Sequence, residues 1–125
     1  MKKSERAKLI AKCEKLIRED KLRMAGGKCQ FCGSQKGLGL FHILSKGAHP
    51  RIRLHEDNLL IVCWLPCHYK FHHDAFWSRD VAFPKIAKLC GENWEQDLLD
   101  LERTAPKLGM VQLREKLEEL EGRKE

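Results

Sequence analysis

Apolar residues recur at three- and four-residue steps from the start of the chain. Leu9, Ile10, Cys13, Leu16, Ile17 and Met24 share one side of a helix, and Lys and Glu fill the other. The spacing predicts an amphipathic helix over residues 4–24, with a solvated charged face and a stop at Gly26-Gly27. The periodicity then disappears. Residues 28–41 are glycine-rich and lead to a short strand near residues 38–43, and residues 45–57 read as a polar, basic loop. Leu59–Cys63 is a compact apolar run with β-branched Ile61 and Val62, which predicts a buried strand. Pro66 suits a first helical turn, so a helix is expected from about Cys67 to Trp77. Trp64, Phe71, Phe76 and Trp77 are expected to pack that helix on the strands.

Further on the pattern is helical again. Pro84 opens a segment that Gly91 closes, Asn93 and Gln96 resemble a capping box, and Pro106 and Gly109 interrupt the chain. Met110, Leu113, Leu117 and Leu120 mark a last amphipathic helix with a polar tail, Gly122–Glu125. The expected organisation is an N-terminal helix in 1–26, a strand–loop–strand–helix core in 27–78 and a helical extension in 79–125. The terminal helices are expected to pack on the core or on a second copy, which makes a homodimer one option.

Residues 26–58 are too poor in apolar runs to build a core unaided, and the cysteines suggest what holds this part of the chain. Cys29-x-x-Cys32 and Cys63-x-x-x-Cys67 place two thiols on each of two separate turns, the donor set of a closed, four-coordinate structural zinc site. Residues 1–24 are charged throughout and lack the apolar stretch of an export signal, and no segment is long and apolar enough to span a membrane. A cytoplasmic, reducing compartment is therefore expected, where paired cysteines serve as metal ligands rather than disulfides. Cys13 and Cys90 stand apart and are read as small buried hydrophobes.

All six histidines lie between His42 and His73. His68 and His72 are four apart on the expected helix, so both can grip one divalent ion. His42 ends the first strand, where a neutral imidazole can take a proton from water. Asn58 can fix the neighbouring loop by bonding its backbone. His49 and His55 are read as loop residues and His73 as a surface one. Net charge is +6 and the pI about 9.1, a balance that favours an anionic partner, nucleic acid above all. Lys46, Arg51 and Arg53 lie on the loop beside His42, and in an extended loop the two arginines point the same way, toward phosphates.

The order Cys29-x-x-Cys32, His42-Ile43, Asn58-Leu59-Leu60, Cys63…Cys67-His68 and His72 resembles the HNH, or ββα-metal, endonuclease family. The likeness is closest to small phage-borne proteins linked to recombination, and it covers residues 29–73. It implies an α+β fold: a small ββα-metal core with a zinc knuckle, flanked by N- and C-terminal helices. It implies hydrolysis of DNA phosphodiester bonds in a bacterial or phage-infected cell. His42 then corresponds to the general base, Asn58 to the orienting asparagine, and His68 and His72 to ligands of a catalytic divalent ion such as Mg²⁺ or Mn²⁺. The four cysteines correspond to the Zn²⁺ knuckle. The sequence departs from the family at Phe41, where an Asp or His ligand often precedes the base, and at the three-residue gap between Cys63 and Cys67. Phe41 keeps a second expectation open, a non-catalytic zinc-knuckle protein that binds nucleic acid.

Overall fold

The computed structural model describes residues 3–123 of the chain; Lys124 and Glu125, the end of the expected polar tail, lie outside them. The fold is α+β. Helix α1 (Glu5–Met24) precedes a two-stranded antiparallel sheet, β1 (Leu38–His42) and β2 (Leu59–Cys63). Short helices α2 (Tyr69–His73) and α3 (Ala75–Trp77) follow, and then α4 (Phe83–Cys90), α5 (Trp94–Thr104) and α6 (Met110–Gly122). The register pairs Leu38 with Cys63 at one end of the sheet and His42 with Leu59 at the other.

Helix α1 forms for the reasons its sequence announces. Ser4 Oγ accepts the Ala7 N–H at 3.1 Å as an N-cap, and Leu9, Ile10, Cys13 and Ile17 are buried on one face. Gly26 takes the left-handed conformation that ends the helix, and the Gly27 N–H closes the last turn on the Leu22 carbonyl. The capping box expected at Asn93 is absent. The Asn93 side chain makes no cap bond, and Gln96 instead donates to Asp100 one turn on. A related device occurs at α6, where Gln112 reaches back to accept the Gly109 N–H.

The sheet is a thin central layer between two groups of helices. Every residue of β2 is buried, although a two-stranded sheet alone is marginally stable in water. Side chains alternate between faces along a strand, and both faces here are covered. Leu60, Val62 and Phe41 join Ile86, Trp94 and Leu98 in one cluster. Leu59 and partly buried Leu40 join the faces of α1 and α6 in the other, with Leu113 and Leu120 fully enclosed. Both terminal helices thus bury their apolar faces against each other and the sheet within one chain.

The helix expected from Cys67 to Trp77 is divided. Asp74 adopts an extended conformation (φ −133°, ψ 94°) and its carboxylate accepts the Trp77 N–H at 3.0 Å, capping the next turn. An Asp so placed satisfies the start of a new helix better than it continues the old one. Two of the four aromatics expected in the core are also elsewhere: Phe71 and Trp77 pack against it, whereas Trp64 and Phe76 are 61% and 71% exposed. Cys13 is buried as expected and Cys90 is not.

Because Leu120 is fully enclosed where α6 meets α1, Leu120→Ala should remove about 2–5 kcal/mol of stability. Urea denaturation followed by circular dichroism measures it, and a loss below about 1 kcal/mol would mean the terminal helices are loosely attached.

Candidate functional site

Cys29 and Cys32 sit on a tight turn that is bonded directly to β2. The Gln30 N–H donates to the Ile61 carbonyl, and the Ile61 N–H donates to Gln30 Oε1, both at 2.8 Å. Inside the turn, the amides of Phe31 and Cys32 both point at Cys29 Sγ, at 3.4 Å. Cys63 ends β2 and Cys67 lies in the turn beyond it. The four Sγ atoms lie within 4.8 Å of one another, and Cys32 Sγ is 3.6 Å from Cys63 Sγ. A tetrahedral ion with metal–sulfur bonds of about 2.3 Å requires sulfur–sulfur edges of about 3.8 Å, so the donor set fits zinc in chemistry and in size.

The thiols are unequal. Burial pushes Cys29 up, but the amides of Cys63, Cys32 and Phe31 outweigh it and bring the thiol down to about 7. Burial raises Cys63 and Cys67, and a neighbouring thiolate raises Cys67 further. Without an ion, then, the surroundings favour the thiolate of Cys29 and hold Cys63 and Cys67 toward the neutral thiol. An incoming ion must displace protons from Cys63 and Cys67 at least.

A second site lies beside this one. His42, His68 and His72 line a cleft of about 400 Å³ together with Glu14, Lys46 and Trp64. Two opposed features hold His42. Its Nε2 is 3.0 Å from the Arg53 carbonyl, which can only accept, so Nε2 carries the proton and Nδ1 is the basic nitrogen of the neutral ring. Burial lowers the pKa of His42, as do Lys46 and the Arg53 guanidinium, whereas Glu14 and the Arg53 carbonyl act in the other direction; the net shift is downward. The imidazole is therefore neutral at physiological pH.

Asn58 is fully buried and clamps the chain as it leaves β1. Its amide donates to the Leu44 carbonyl at 3.0 Å and its Oδ1 accepts the Leu44 N–H at 2.8 Å, while its own carbonyl accepts the Ile43 N–H. Both polar groups of Leu44 are satisfied by one side chain, and the end of the strand carrying His42 is pinned. This is the loop contact expected of Asn58.

His68 and His72 stand together, with ring centroids 5.0 Å apart. Burial and the nearby imidazoles of His72 and His42 lower the pKa of His68. Phe41 is fully buried next to them, edge-on to His68 at 5.4 Å and to Phe71 at 4.7 Å. It is a packing surface for His68, the residue that precedes α2, and for the helix that bears His72. Among the described residues, the four cysteines are the one group of three or more His, Cys, Asp or Glu donors close enough to share an ion. His68 and His72 form a pair without a third such donor.

The arginine loop differs from its expected form. Pro50–Ile52 is a 3-10 turn, not an extended segment, so Arg51 and Arg53 diverge. Arg51 donates to the Ala105 carbonyl at the end of α5, and its amide and that of Ile52 are capped by Glu102. Arg53 pairs with Glu14 of α1 at 3.0 Å. Of the three basic residues, Lys46 stays exposed on the cleft wall. Glu14 escaped the sequence reading. It lies on the polar face of α1, and nothing local distinguishes it from the other charges there. His55 accepts the Asp57 N–H, and His73 stacks on Tyr69 with rings 4.2 Å apart. No family model, curated protein or solved structure matches this chain.

Two predictions follow from this geometry. Purified protein should hold one zinc-class ion per chain, and acid should release it steeply, since Cys63 and Cys67 regain protons as the ion leaves. A chelator that removes the ion should also abolish the native near-ultraviolet dichroism; a chain that keeps its fold metal-free would refute a structural ion here. Asn58→Ala, which strands the Leu44 amide and carbonyl, should cost about 2–4 kcal/mol in chemical denaturation while metal content stays at one ion.

Proposed function

We propose that this chain is a metal-dependent endonuclease of the HNH type, with a ββα-metal core stapled by zinc on Cys29, Cys32, Cys63 and Cys67, acting on DNA phosphodiester bonds. The observation that carries the reading is the state of His42. The Arg53 carbonyl fixes its tautomer, burial keeps it neutral, and the ring lines a cleft shared with two paired imidazoles and a lysine. An imidazole held in one tautomer with its basic nitrogen free is what a general base requires.

In this reading a water molecule attacks phosphorus and gives its proton to His42 Nδ1, and the bond from phosphorus to the leaving oxygen breaks in line. Lys46 holds the negative charge of the phosphate at the cleft wall. Asn58 keeps the loop beside His42 from drifting. His68 and His72 are the residues to hold a divalent ion such as Mg²⁺ or Mn²⁺. Such an ion supplies positive charge to the phosphate and its leaving oxygen. His68 and His72 would be its two protein donors, since no third His, Cys, Asp or Glu among the described residues joins them. Arg51 and Arg53 are not assigned to phosphate binding. Their guanidinium groups are spent on Ala105 and Glu14, which makes both structural residues of the loop.

A second reading has a specific observation in its favour. Phe41 occupies the place of a ligand, and no carboxylate or third imidazole joins His68 and His72 in a shared donor group among the described residues. A zinc-stapled protein that binds nucleic acid without cutting it would show salt-sensitive binding and no cleavage with any divalent ion.

Plasmid nicking across Mg²⁺, Mn²⁺ and other divalent ions separates the two. His42→Ala should lower the nicking rate at least about 100-fold with zinc content and fold retained. The base acts only when neutral, so the rate should rise with pH through an acid limb. Because burial lowers the pKa of His42, the midpoint should lie below the ordinary imidazole value of about 6.5. A variant that still cuts at full rate would remove His42 from the role.

A further inference from the structure

Trp64 is a large aromatic left open to solvent on the wall of the histidine cleft. It directly follows Cys63, its amide is fixed to the Gly37 carbonyl at 2.8 Å, and yet its side chain is 61% exposed. The segment that carries it runs between Cys63 and Cys67, both buried in the four-cysteine cluster. Its ring contact among the described residues is with His68, at 4.7 Å and 60° between planes. An indole so exposed forgoes the stabilisation that burial would bring, and on the wall of a cleft it offers an open π face to whatever enters there.

The surroundings limit what can bind there. Trp64 walls the same cleft as His42, His68, His72 and Lys46. Glu14, the one carboxylate in that lining, is already paired with Arg53. Lys36, next to the glycine that anchors Trp64, is exposed, and Lys70 is half-buried on α2. Tyr69, 52% exposed and stacked on His73, adds a second open ring to the same stretch of chain. A π face beside cations, continuous with a phosphate-directed cleft, suits a nucleobase better than an apolar protein surface. Bases within an intact duplex already have both faces covered by their neighbours, so the ring has nothing to stack on unless a base is unpaired.

We propose that Trp64 is a stacking platform for an unpaired base and that the favoured substrate is DNA with a single-stranded segment at the cleft; this rests on the endonuclease reading above and specifies its substrate. The phosphate is held by the cleft, and the neighbouring base lies on the indole. Stacking of this kind is tolerant of sequence, so selectivity is for strand state rather than for a base order.

Fluorescence anisotropy with a labelled 20-nucleotide thymidine oligomer and a 20-base-pair duplex, without added Mg²⁺ or Mn²⁺, tests the platform. The wild-type protein should bind the single strand more tightly. Trp64→Ala should weaken single-strand binding about 5- to 100-fold and duplex binding less than about 2-fold. Trp64→Phe should restore most of the loss. The salt dependence should stay unchanged, because the phosphate contacts remain. Equal losses on both DNAs, or single-strand affinity within about 2-fold of wild type, would overturn the proposal, and so would a Trp64→Ala variant that merely dissolves a dimer with its DNA binding intact. Nicking assays on the same proteins distinguish the two levels. Cleavage that is present and indifferent to Trp64 sinks the platform alone. Trp64-dependent binding by a protein that cuts no DNA keeps the platform and sinks the endonuclease reading.

Discussion

Two five-residue strands joined by a long irregular loop must be held at both ends, and the rest of the molecule depends on how that is done. At the Leu38–Cys63 end the constraint is the meeting of four sulfurs. Cys29 and Cys32 come from the turn before β1, and Cys63 and Cys67 from the end of β2 and the turn after it. An ion shared by these donors would close the open end of the hairpin and fix where α2 begins. At the His42–Leu59 end the constraint is Asn58, whose two bonds to Leu44 replace the sheet hydrogen bonds that stop there. The loop of residues 43–58 can then be polar and irregular, since the two clamps and buried Ile52 and Leu54 supply what it lacks in core.

Burial on both sides of the sheet links this scaffold to the cleft. Phe41 belongs to the cluster with α4 and α5, and Leu40 to the cluster with α1 and α6. His42 alternates with Phe41 along the strand, and its neighbours include Glu14 of α1. The N-terminal helix is thus more than a cover for the sheet. It brings a carboxylate to the edge of the cleft and ties down Arg53, the residue whose carbonyl orients His42. Arg53 serves the site through its backbone, with its side chain used as an anchor.

What could be read from the sequence divides along the same lines. Most local signals are reliable: the period of α1, the apolar run of β2, the glycine stop at Gly26 and the short cysteine spacings each describe an interaction within a few residues, whereas the capping box expected at Asn93 does not form. Asn58 was legible too, because an Asn beside a strand end has few uses other than bonding loop backbone. The missed features depend on partners distant in the chain. Glu14 and Arg53 are ordinary charges until α1 meets the loop, and Arg51 was misplaced because Glu102 of α5 caps the turn that bends it away. The division of the expected helix at Asp74 was closer to the surface of the sequence, since an Asp followed three residues later by an unbonded amide is a cap signal. The apolar spacing on either side of it masked that signal. Trp64 is expected in the core because its spacing suits one face of the helix, and spacing does not reveal which way the turn between Cys63 and Cys67 faces.

Phe41 is where the chain departs from the HNH pattern that it resembles, and packing explains a phenyl ring there. A carboxylate at that position would need an ion or a hydrogen bond, because the site is fully buried. A phenyl ring needs neither. It meets His68 and Phe71 edge-on and so steadies His68, the residue before α2, and the start of the helix that carries His72. The same apolar packing contributes to the burial that lowers the pKa of His68, leaving the imidazole neutral and with a lone pair available at physiological pH. In the endonuclease reading, the chain thus exchanges a donor for a rigid, dry support beneath the two donors it keeps. Charge neutralisation at the phosphate then falls more heavily on Lys46, the exposed cation of the cleft lining.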